Sequence, residues 1–324
     1  MNILVTGGTG FIGSHLVEKL VKRNYSVRCL ARKSSDITLL KNLGVEIHFG
    51  DLTKKETLKG VTNDIDVVFH LAAQMRKWGL QVKDYCKTNI DGTKNILDLS
   101  ISEGVEQFIH CSTTTILEFS KNRPLNEDIE KYNTKDLYAK TKTEAEKIVL
   151  KNRDKIKSTI IYPDLVYGPR NLSYLPIFKA IKERKMKIIG KADNLHHPTF
   201  VSDLVAGFSL VLKNKKTYNE RFILASDAIT TLDLLTIIAE KLGVEISKVR
   251  IPLRLARMGA YFMGTAAKIF YFNPILNEAV IDFFENNYYY DTSKARKKLG
   301  FKPKISLEEG IEKTIEWYKL NNLL

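Results

Sequence analysis

A tyrosine and a lysine, Tyr138 and Lys142, lie four residues apart in the stretch DLYAKTK. If this stretch is helical, the spacing places both side chains on one face, where they can interact. A tyrosine hydroxyl has a pKa of about 10, but a nearby ammonium group favours the phenolate and lowers that pKa. The pair could therefore exchange a proton with a substrate hydroxyl. Tyr290 and Lys294 repeat the spacing, so at most one of the two pairs belongs to an active site.

The first half of the sequence alternates short β-branched runs with amphipathic segments, which is typical of a parallel sheet wrapped by helices. In Phe11–Arg23, for example, Ile12, Leu16 and Leu20 recur at every fourth position. We therefore expect an α/β fold with a doubly wound parallel (Rossmann) sheet, whose ligand lies beyond the carboxyl ends of the strands. The predicted strands are Asn2–Thr6, Ser26–Leu30, Val45–Phe49, Asp66–His70, Gln107–Cys111 and Ser158–Tyr162.

After Pro163 the pattern changes to helices around one further strand, Arg221–Leu224. This change predicts a dinucleotide-binding domain over residues 1–162. A smaller, mainly helical substrate-binding lobe is expected over residues 163–324. The strand near residues 221–225 is expected to return to the sheet of the first domain.

The composition is that of a globular protein with an excess of positive charge. The chain has 324 residues, of which 44% are hydrophobic, and a formal net charge of +14. Because basic and acidic residues are mixed and no nucleic-acid motif occurs, a solvated surface is favoured over a nucleic-acid partner. The three cysteines lack metal-ligand spacing, and the first residues lack a signal-peptide core, which favours a cytoplasmic protein. His196 and His197 lack a third ligand, so no metal site is predicted.

The segment Leu253–Phe272 is apolar and aromatic, but it contains Arg254, Arg257 and Lys268. These charges make it unsuited to span a membrane. A buried helix or a lid over the active site is favoured over an interfacial anchor. We therefore expect no transmembrane span and at most a weak association with a membrane surface.

The glycine-rich segment GGTGFIG, residues 7–13, lies between the first predicted strand and helix. The chain must turn tightly there, and a pyrophosphate can approach the backbone N–H groups only if no Cβ blocks the way. The segment therefore predicts a dinucleotide site, with the spacing G-x-x-G-x-x-G instead of the G-x-G-x-x-G of ordinary dehydrogenases. Its predicted cofactor-binding residues are Gly7, Gly10, Phe11, Ile12 and Gly13.

The end of the second strand bears on the choice between NAD and NADP. An NAD site usually has an acidic residue here to bind the ribose 2′-hydroxyl, whereas an arginine accommodates a 2′-phosphate. Arg32 and Lys33 follow this strand, and the first carboxylate is that of Asp36. The sequence therefore favours NADP, with Arg32 as the phosphate ligand. NAD remains the alternative, because a solvated basic loop has the same composition.

Together with Tyr138 and Lys142, these motifs resemble the extended short-chain dehydrogenase/reductase family, also called the NAD-dependent epimerase/dehydratase family. The resemblance extends over nearly the full length of the chain. Its motifs are TGGTGFIG (6–13), GDL (50–52), HLAA (70–73), NIDGT (89–93), Tyr138 with Lys142, Pro163 with VYGP (166–169), VSDL (201–204) and KLGFKP (298–303).

The resemblance implies further cofactor contacts. It places Asp51 and Leu52 beside the adenine and Ala72 and Ala73 in the floor beneath the cofactor, and it gives Lys142 a second role in binding the nicotinamide ribose. The remaining predicted contacts are Leu71, Tyr138, Pro163 and Val166. His70 alone is better explained as a hydrogen-bonded core histidine.

The resemblance also implies a catalytic set of Thr113, Tyr138, Lys142 and Asn89. The hydroxyl that holds the substrate oxygen aligns with Thr113, at the end of the fifth strand and 25 residues before Tyr138. Ser112 and Thr114 remain alternatives, because hydroxyls at neighbouring loop positions cannot be distinguished by sequence. Asn89 is implied to support the backbone and a water relay; a helix N-cap explains it equally well.

The same offset distinguishes the two Tyr–Lys pairs. Counted back from Tyr290, it leads to Thr265, within a predicted helix and not at a strand end. We therefore assign the active-site pair to Tyr138. Tyr290 and Lys294 are expected to lie in a surface turn and the helix before Gly300.

The implied reaction moves a hydride between the nicotinamide and a secondary alcohol or ketone carbon, while Tyr138 moves the proton. The strand ending VRCLARK and the apolar Leu253–Phe272 segment resemble the dihydroflavonol reductase and 3β-hydroxysteroid dehydrogenase branches. Arg32 favours net redox chemistry, because an epimerase that recycles its cofactor gains little from binding a 2′-phosphate. Tyr162 stands where sugar-modifying relatives often have an arginine.

Two other functions remain open. One is a nucleotide-sugar epimerase or dehydratase with bound NAD, in which Arg170 and Asn171 could hold a diphosphate. The other is an inactive NADP-binding scaffold, which the complete catalytic set disfavours. Trp78 either stacks on the substrate or packs between lobes. The expected partners are a small-molecule substrate and, by resemblance, a second copy in a homodimer.

Overall fold

The computed structural model describes residues 1–118, 124–128, 132–133, 136–270, 272 and 274–324. These residues contain a parallel sheet of seven strands: β1 (Asn2–Thr6), β2 (Ser26–Ala31), β3 (Glu46–Phe49), β4 (Val67–His70), β5 (Gln107–Cys111), β6 (Lys157–Pro163) and β7 (Glu220–Leu224). The strand order is β7-β6-β5-β4-β1-β2-β3. The Rossmann prediction is confirmed, and every predicted strand boundary lies within one residue of the observed one.

Helices cover both faces of the sheet and form most of the second half of the chain. They are α1 (Phe11–Lys22), α2 (Thr38–Asn42), α3 (Val82–Tyr85), α4 (Gly92–Ser102), α5 (Leu137–Lys151), α6 (Leu175–Lys182), α7 (Val201–Val211), α8 (Thr231–Lys241), α9 (Leu253–Phe270), α10 (Glu278–Glu285), α11 (Ser293–Leu299) and α12 (Leu307–Leu320). A π-helix, Cys86–Asp91, joins α3 to α4, and 3₁₀ turns occur at Lys55–Leu58, Thr114–Ile116 and Lys215–Thr217. Two-residue strands pair Val166–Tyr167 with Thr199–Phe200, Ile188–Ile189 with Arg250–Ile251, and Leu195–His196 with Ile229–Thr230.

The strand order locates the ligand crevice. Strands β2 and β4 lie on opposite sides of β1, so the connections leaving the carboxyl ends of β1 and β4 run in opposite directions. A crevice opens at such a point in a doubly wound sheet. The predicted return strand is also confirmed, because β7 pairs with β6 in parallel.

A separate apolar core supports the second half of the chain. It includes Phe178, Leu235, Phe284 and Ile315, all buried. This core agrees with the expected smaller lobe, although the exact division at residues 162 and 163 stays a prediction.

Helix α9 departs from the sequence prediction. Its buried residues are Ala256, Ala260 and Ala267, whereas many of its large side chains face outward. The expectation of a buried helix is therefore wrong, because the fully buried residues are three alanines, while Leu253, Met263 and Gly264 are only half-buried. The alternative of a lid over the active site stays a prediction. In the part of the chain that the structure describes, no helix is long and apolar enough to cross a membrane.

The second Tyr–Lys pair also differs from expectation. Tyr290 is only 2% exposed, and its backbone N–H donates to His197 Nε2 at 3.0 Å. Lys294 in α11 pairs with Glu220 on β7 at 2.8 Å. The helix predicted before Gly300 is confirmed, because Lys294 lies in α11. The predicted surface turn is wrong, because Tyr290 is buried and Lys294 ties α11 to the edge strand β7.

The two adjacent histidines are packing residues. The His196 ring stacks on Phe283 and Tyr288, with centroid distances of 4.6 and 5.0 Å. His197 Nδ1 bonds the Ser226 carbonyl at 2.7 Å. Among the described residues, no cluster of three or more metal-ligating side chains occurs.

The packing of α12 predicts the effect of one substitution. At Gly310, an added Cβ would collide with the Tyr167 hydroxyl and lie 2.9 Å from the Phe200 ring. We expect Gly310→Ala to lower the free energy of unfolding by roughly 1–3 kcal/mol in urea titrations. Gly264→Ala is the matched control: its nearest contact, Trp78, would be 3.6 Å away, so higher helix propensity should leave stability unchanged or raise it by up to about 1 kcal/mol. Equal effects at both sites would contradict this packing.

Candidate active site

A cleft of about 780 Å³ opens at the carboxyl ends of the strands. Its lining contains nearly every residue that the sequence predicted as a cofactor or catalytic residue: Gly7, Gly10, Phe11, Ile12, Gly13, Arg32, Asp51, Leu52, Leu71, Ala72, Ala73, Thr113, Tyr138, Pro163 and Val166. Lys142 and Asn89 lie behind this lining. The predicted residues therefore come together in space from seven separate parts of the chain.

The glycine-rich turn fits a dinucleotide phosphate. Gly7 has a φ of +76°, and a Cβ there would lie 2.8 Å from the Ala72 backbone nitrogen. A Cβ at Gly13 would lie 2.7 Å from the Gly7 carbonyl carbon. Gly10 precedes α1, and no side chain caps this helix start. The free N–H groups and the positive end of the helix dipole can therefore accept a phosphate anion.

The far end of the cleft carries Arg32 and Ser35. Asp51 Oδ1 accepts hydrogen bonds from the Thr53 N–H at 2.9 Å and the Thr53 hydroxyl at 2.8 Å. Burial opposes ionisation of Asp51, but these bonds and the positive charge of Arg32 lower its pKa overall. Asp51 is therefore a carboxylate that faces Arg32 within the predicted adenosine site.

Tyr138 lies in the first turn of α5 and points into the cleft. Asp136 starts this helix, and its Oδ1 accepts the Ala139 N–H at 2.7 Å, as expected of a good N-cap residue. Thr113 and Tyr138 both line the cleft, and the nearby Thr113 side chain lowers the pKa of Tyr138 in part. Helix α5 therefore brings the predicted tyrosine to the predicted threonine at the end of β5.

The three neighbouring hydroxyls have different partners. Ser112 Oγ donates to Glu146 Oε2 at 2.8 Å, and Thr114 Oγ1 donates to Asp164 Oδ1 at 2.8 Å. Thr113 Oγ1 forms a hydrogen bond with Thr115 Oγ1 at 3.0 Å, and of the three hydroxyls it is the one that lowers the pKa of Tyr138. The other two hydroxyls are bonded to carboxylates, buried at Glu146 and half-buried at Asp164, which favours Thr113 over both alternatives.

Lys142 is oriented differently from the sequence expectation. It shares a face of α5 with Tyr138, but its Nζ donates to the Cys111 carbonyl at 2.7 Å and lies 3.4 Å from His110 Nε2. The side chain is 2% exposed, and burial lowers its pKa to about 8. Lys142 therefore ties α5 to β5 in this structure.

The pKa of Tyr138 accordingly differs from the expected value. Burial and then Cys111 raise this pKa well above its usual value, and Arg76 and the nearby Thr113 side chain lower it only in part. The expectation that Lys142 acidifies the phenol is not met here. Tyr138 is a neutral phenol at neutral pH and can donate its proton.

The cation that faces Tyr138 is Arg76, which the sequence analysis did not identify as a site residue. Its Cζ lies 5.6 Å from the centroid of the Tyr138 ring, and its Nε donates to Asp136 Oδ2 at 2.9 Å. The same aspartate caps α5. Arg76 therefore contacts both the Tyr138 ring and the residue that caps α5. The only sequence signal for this role is that a basic residue follows soon after the HLAA motif.

Asn89 lies inside the π-helix Cys86–Asp91, so the N-cap explanation is wrong. Its Oδ1 accepts the Gln74 N–H at 2.7 Å, and its Nδ2 donates to Thr141 Oγ1 at 3.0 Å. Asn89 thus connects the loop after β4 to α5. His70 bonds Thr6 at 2.8 Å and Thr93 at 2.9 Å, as expected of a buried core histidine.

The two residues considered for or against sugar binding, Tyr162 and Arg170, both form hydrogen bonds within the protein. Tyr162 is fully buried, and its hydroxyl donates to Glu146 Oε1 at 2.6 Å. The Arg170 guanidinium donates to both carboxylate oxygens of Glu18, at 2.8 and 3.0 Å. Arg170 is thus paired within the protein, which argues against the expectation that it holds a diphosphate.

The fold and the cleft define a Rossmann-type α/β protein with a Thr–Tyr pair beside a dinucleotide-shaped site. The profile of the NAD dependent epimerase/dehydratase family matches residues 3–225, and the chain belongs to this family.

Relatives with both redox and epimerase names resemble the chain. A 3beta-hydroxysteroid-dehydrogenase/decarboxylase of Arabidopsis thaliana is 29% identical, over 97% of this chain and 78% of that protein. A 4-hydroxy-2-methyl-3-oxo-4-farnesyl-3,4-dihydroquinoline-1-oxide ketoreductase of Stigmatella aurantiaca is 25% identical, over 96% and 95%. The structure of a UDP-glucose 4-epimerase of Thermotoga maritima superposes with a TM-score of 0.80 at 26% identity, over 99% and 100%.

The lowered pKa of Lys142 predicts a pH dependence of stability. The pKa of Lys142 is about 8 in the folded chain, against a usual lysine pKa of 10.5. Between these two pH values the unfolded chain holds a proton on Lys142 that the folded chain has released, so the free energy of unfolding of the wild type rises with pH. Relative to Lys142→Met, the wild type should gain on the order of 2–3 kcal/mol in urea unfolding between pH 7.5 and about 10.5.

Lys140→Met, at an exposed position of the same helix, controls for the loss of one positive charge. The free energy of unfolding of Lys140→Met should change with pH as that of the wild type does over the same pH range. A constant gap between the wild type and Lys142→Met would refute the buried, destabilised ammonium.

Proposed function

We propose that the protein is an NAD(P)-dependent oxidoreductase that interconverts a secondary alcohol and a ketone in an apolar small molecule. The observation that supports it most is the Thr113–Tyr138 hydroxyl pair, which points into the cleft beside the glycine-rich turn. Several relatives named as dehydrogenases or ketoreductases of sterol-like or prenylated compounds also support it.

The cofactor site would be formed by the turn from Gly7 to Gly13, with Ala72 and Ala73 beneath it. A bound nicotinamide dinucleotide supplies hydride chemistry. Arg32 and Ser35 would bind a ribose 2′-phosphate, which is why we favour NADP, with NAD as the alternative. A guanidinium makes charge-assisted hydrogen bonds to phosphate oxygens, and these are stronger than bonds between neutral groups.

The residues of the protein have separate tasks in this proposal. Thr113 orients the substrate oxygen by a hydrogen bond. Tyr138, a neutral phenol at neutral pH, donates its proton to that oxygen in the reductive direction. Arg76 stabilises the phenolate that remains, because its cation lies over the Tyr138 ring. Lys142 and Asn89 position α5 and the loop after β4 around the tyrosine.

A nucleotide-sugar epimerase or dehydratase is the second candidate. It is supported by the similarity to the Thermotoga maritima UDP-glucose 4-epimerase. The pairing of Arg170 with Glu18 and the burial of Tyr162 speak against it. Assays at 340 nm of ketones, steroids and UDP- or GDP-sugars with NADPH and NADH, together with a product assay for epimerised sugars, distinguish the two candidates.

The second Tyr–Lys pair provides a matched control for the proton donor. Tyr138→Phe should reduce turnover by roughly a hundredfold to ten-thousandfold, which is the contribution expected of general acid–base catalysis, while cofactor affinity measured by fluorescence stays nearly constant. Tyr290→Phe removes an equally buried hydroxyl from the other pair and should retain turnover. If Tyr138→Phe keeps wild-type activity, the mechanism is wrong.

The cofactor preference depends on Arg32. Arg32→Ala should weaken NADPH binding at least about tenfold, the loss expected for a charge-assisted hydrogen bond, and leave NADH binding nearly unchanged. Lys33→Ala is the control, because Lys33 is adjacent but does not line the cleft. Fluorescence titration of each variant gives both dissociation constants. Equal losses for the two cofactors would eliminate a 2′-phosphate role for Arg32.

A further inference from the structure

The outward side of α9 is apolar. Leu255, Met258, Phe262 and Ile269 are each more than half exposed. Their spacing of three, four and seven residues places them on one side of an α-helix. We call these four residues the α9 outer face. A surface helix usually packs its large apolar side chains against the core. Helix α9 instead exposes them to solvent and buries its alanines.

The exposed apolar surface continues to the end of the helix and beyond it. Phe270, the last residue of α9, is 74% exposed, and after the helix Phe272 is exposed and Ile275 is 88% exposed. Single exposed apolar residues are common, but a contiguous group of this size usually marks an interaction surface.

Positive charge borders this surface. Arg254 and Lys268 are exposed and lie near the two ends of α9. With Tyr261 between them, they are spaced by seven residues, so the three side chains form a line beside the outer face. The helix has no acidic residue, and Arg257 pairs with Glu285. Within the described ranges, neither Arg254 nor Lys268 forms an ion pair with a carboxylate. Their charge therefore remains available to an anionic partner.

We propose that the α9 outer face docks on the surface of an anionic lipid bilayer, with the helix lying in the plane of the interface. An in-plane helix of this kind combines large apolar side chains with flanking cations, and anionic headgroups attract exposed Arg and Lys. A second copy of the chain is a poorer occupant, since a two-fold contact would bring the uncompensated cations of both copies to the same interface.

The docking surface is connected to the cleft. The Trp78 ring lies against Gly264 of α9, at 3.6 Å from the position of a Cβ there. Met75 and Leu80, in the same loop as Trp78, line the cleft. A substrate dissolved in the bilayer would reach the cleft along this loop. This last step rests on the proposed function, whereas the docking itself does not.

Vesicle co-sedimentation of the full-length chain, without substrate or cofactor, tests the proposal. Vesicles of phosphatidylcholine mixed with phosphatidylglycerol should bind the protein, and pure phosphatidylcholine vesicles should bind it at least about tenfold more weakly. Molar salt should reduce the binding to the mixed vesicles, because it screens exposed charges. Equal binding to both vesicle types, or no binding to either, would overturn the proposal.

Variants of the surface identify the bound face. Phe262→Ser and Lys268→Glu should each weaken binding to the mixed vesicles at least about tenfold. Leu320→Ser and Lys319→Glu, at exposed positions near the end of α12, are matched controls and should change it less than about twofold. Thermal unfolding checks that every variant folds. If the controls lose as much binding as the α9 variants, the face is wrongly assigned.

Sedimentation velocity without lipid tests the other occupant. A dimer that Phe262→Ser dissociates, together with no vesicle binding, would assign this face to a second copy and refute the bilayer. Turnover of a water-soluble ketone tests the proposed function separately. Loss of vesicle binding with retained turnover would remove only the docking.

Discussion

The hydrogen bond from Lys142 Nζ to the Cys111 carbonyl holds helix α5 against the end of β5, and the geometry of the candidate site depends on it. A buried ammonium group is costly unless it is hydrogen-bonded, and the carbonyl at the strand end provides that bond. One turn before Lys142 is Tyr138, and one turn after it is Glu146. All three side chains project from the same face of the helix toward the ends of β5 and β6.

This alignment gives several polar groups at the two strand ends a partner. Glu146 accepts hydrogen bonds from the hydroxyls of Ser112 and Tyr162. Lys142 donates to the Cys111 carbonyl, and Tyr138 lines the cleft with Thr113. Burial raises the pKa of Glu146, and its two hydroxyl donors offset part of that cost. Glu146 therefore engages Ser112 and Tyr162, whereas Thr113 lines the cleft with Tyr138 and forms a hydrogen bond with Thr115.

The cation beside the Tyr138 ring is Arg76, and not Lys142 as the helix spacing predicts. Arg76 approaches from the loop after β4 and contacts both the Tyr138 ring and the Asp136 cap. A guanidinium over an aromatic face stabilises negative charge on the ring oxygen without a direct bond to it. The cap and the cation thus couple the start of α5 to the loop that borders the cleft mouth, next to Trp78 and α9.

The sequence by itself determined the sheet, the glycine turn and the shared face of Tyr138 and Lys142, because strand patterns, tight turns and helix spacing are set by residues that are neighbours along the chain. Only the tertiary structure decided where Lys142 Nζ points and which hydroxyl meets Tyr138. It also decided that Tyr290 is buried and that the large side chains of α9 face outward. These outcomes depend on contacts between distant segments, such as Ser112 with Glu146, Arg76 with Asp136 and Tyr290 with His197. Periodicity shows that a helix has an apolar face, but the shape of the neighbouring core determines which face is covered, and at α9 it covers the alanine side and leaves most of the large side chains exposed.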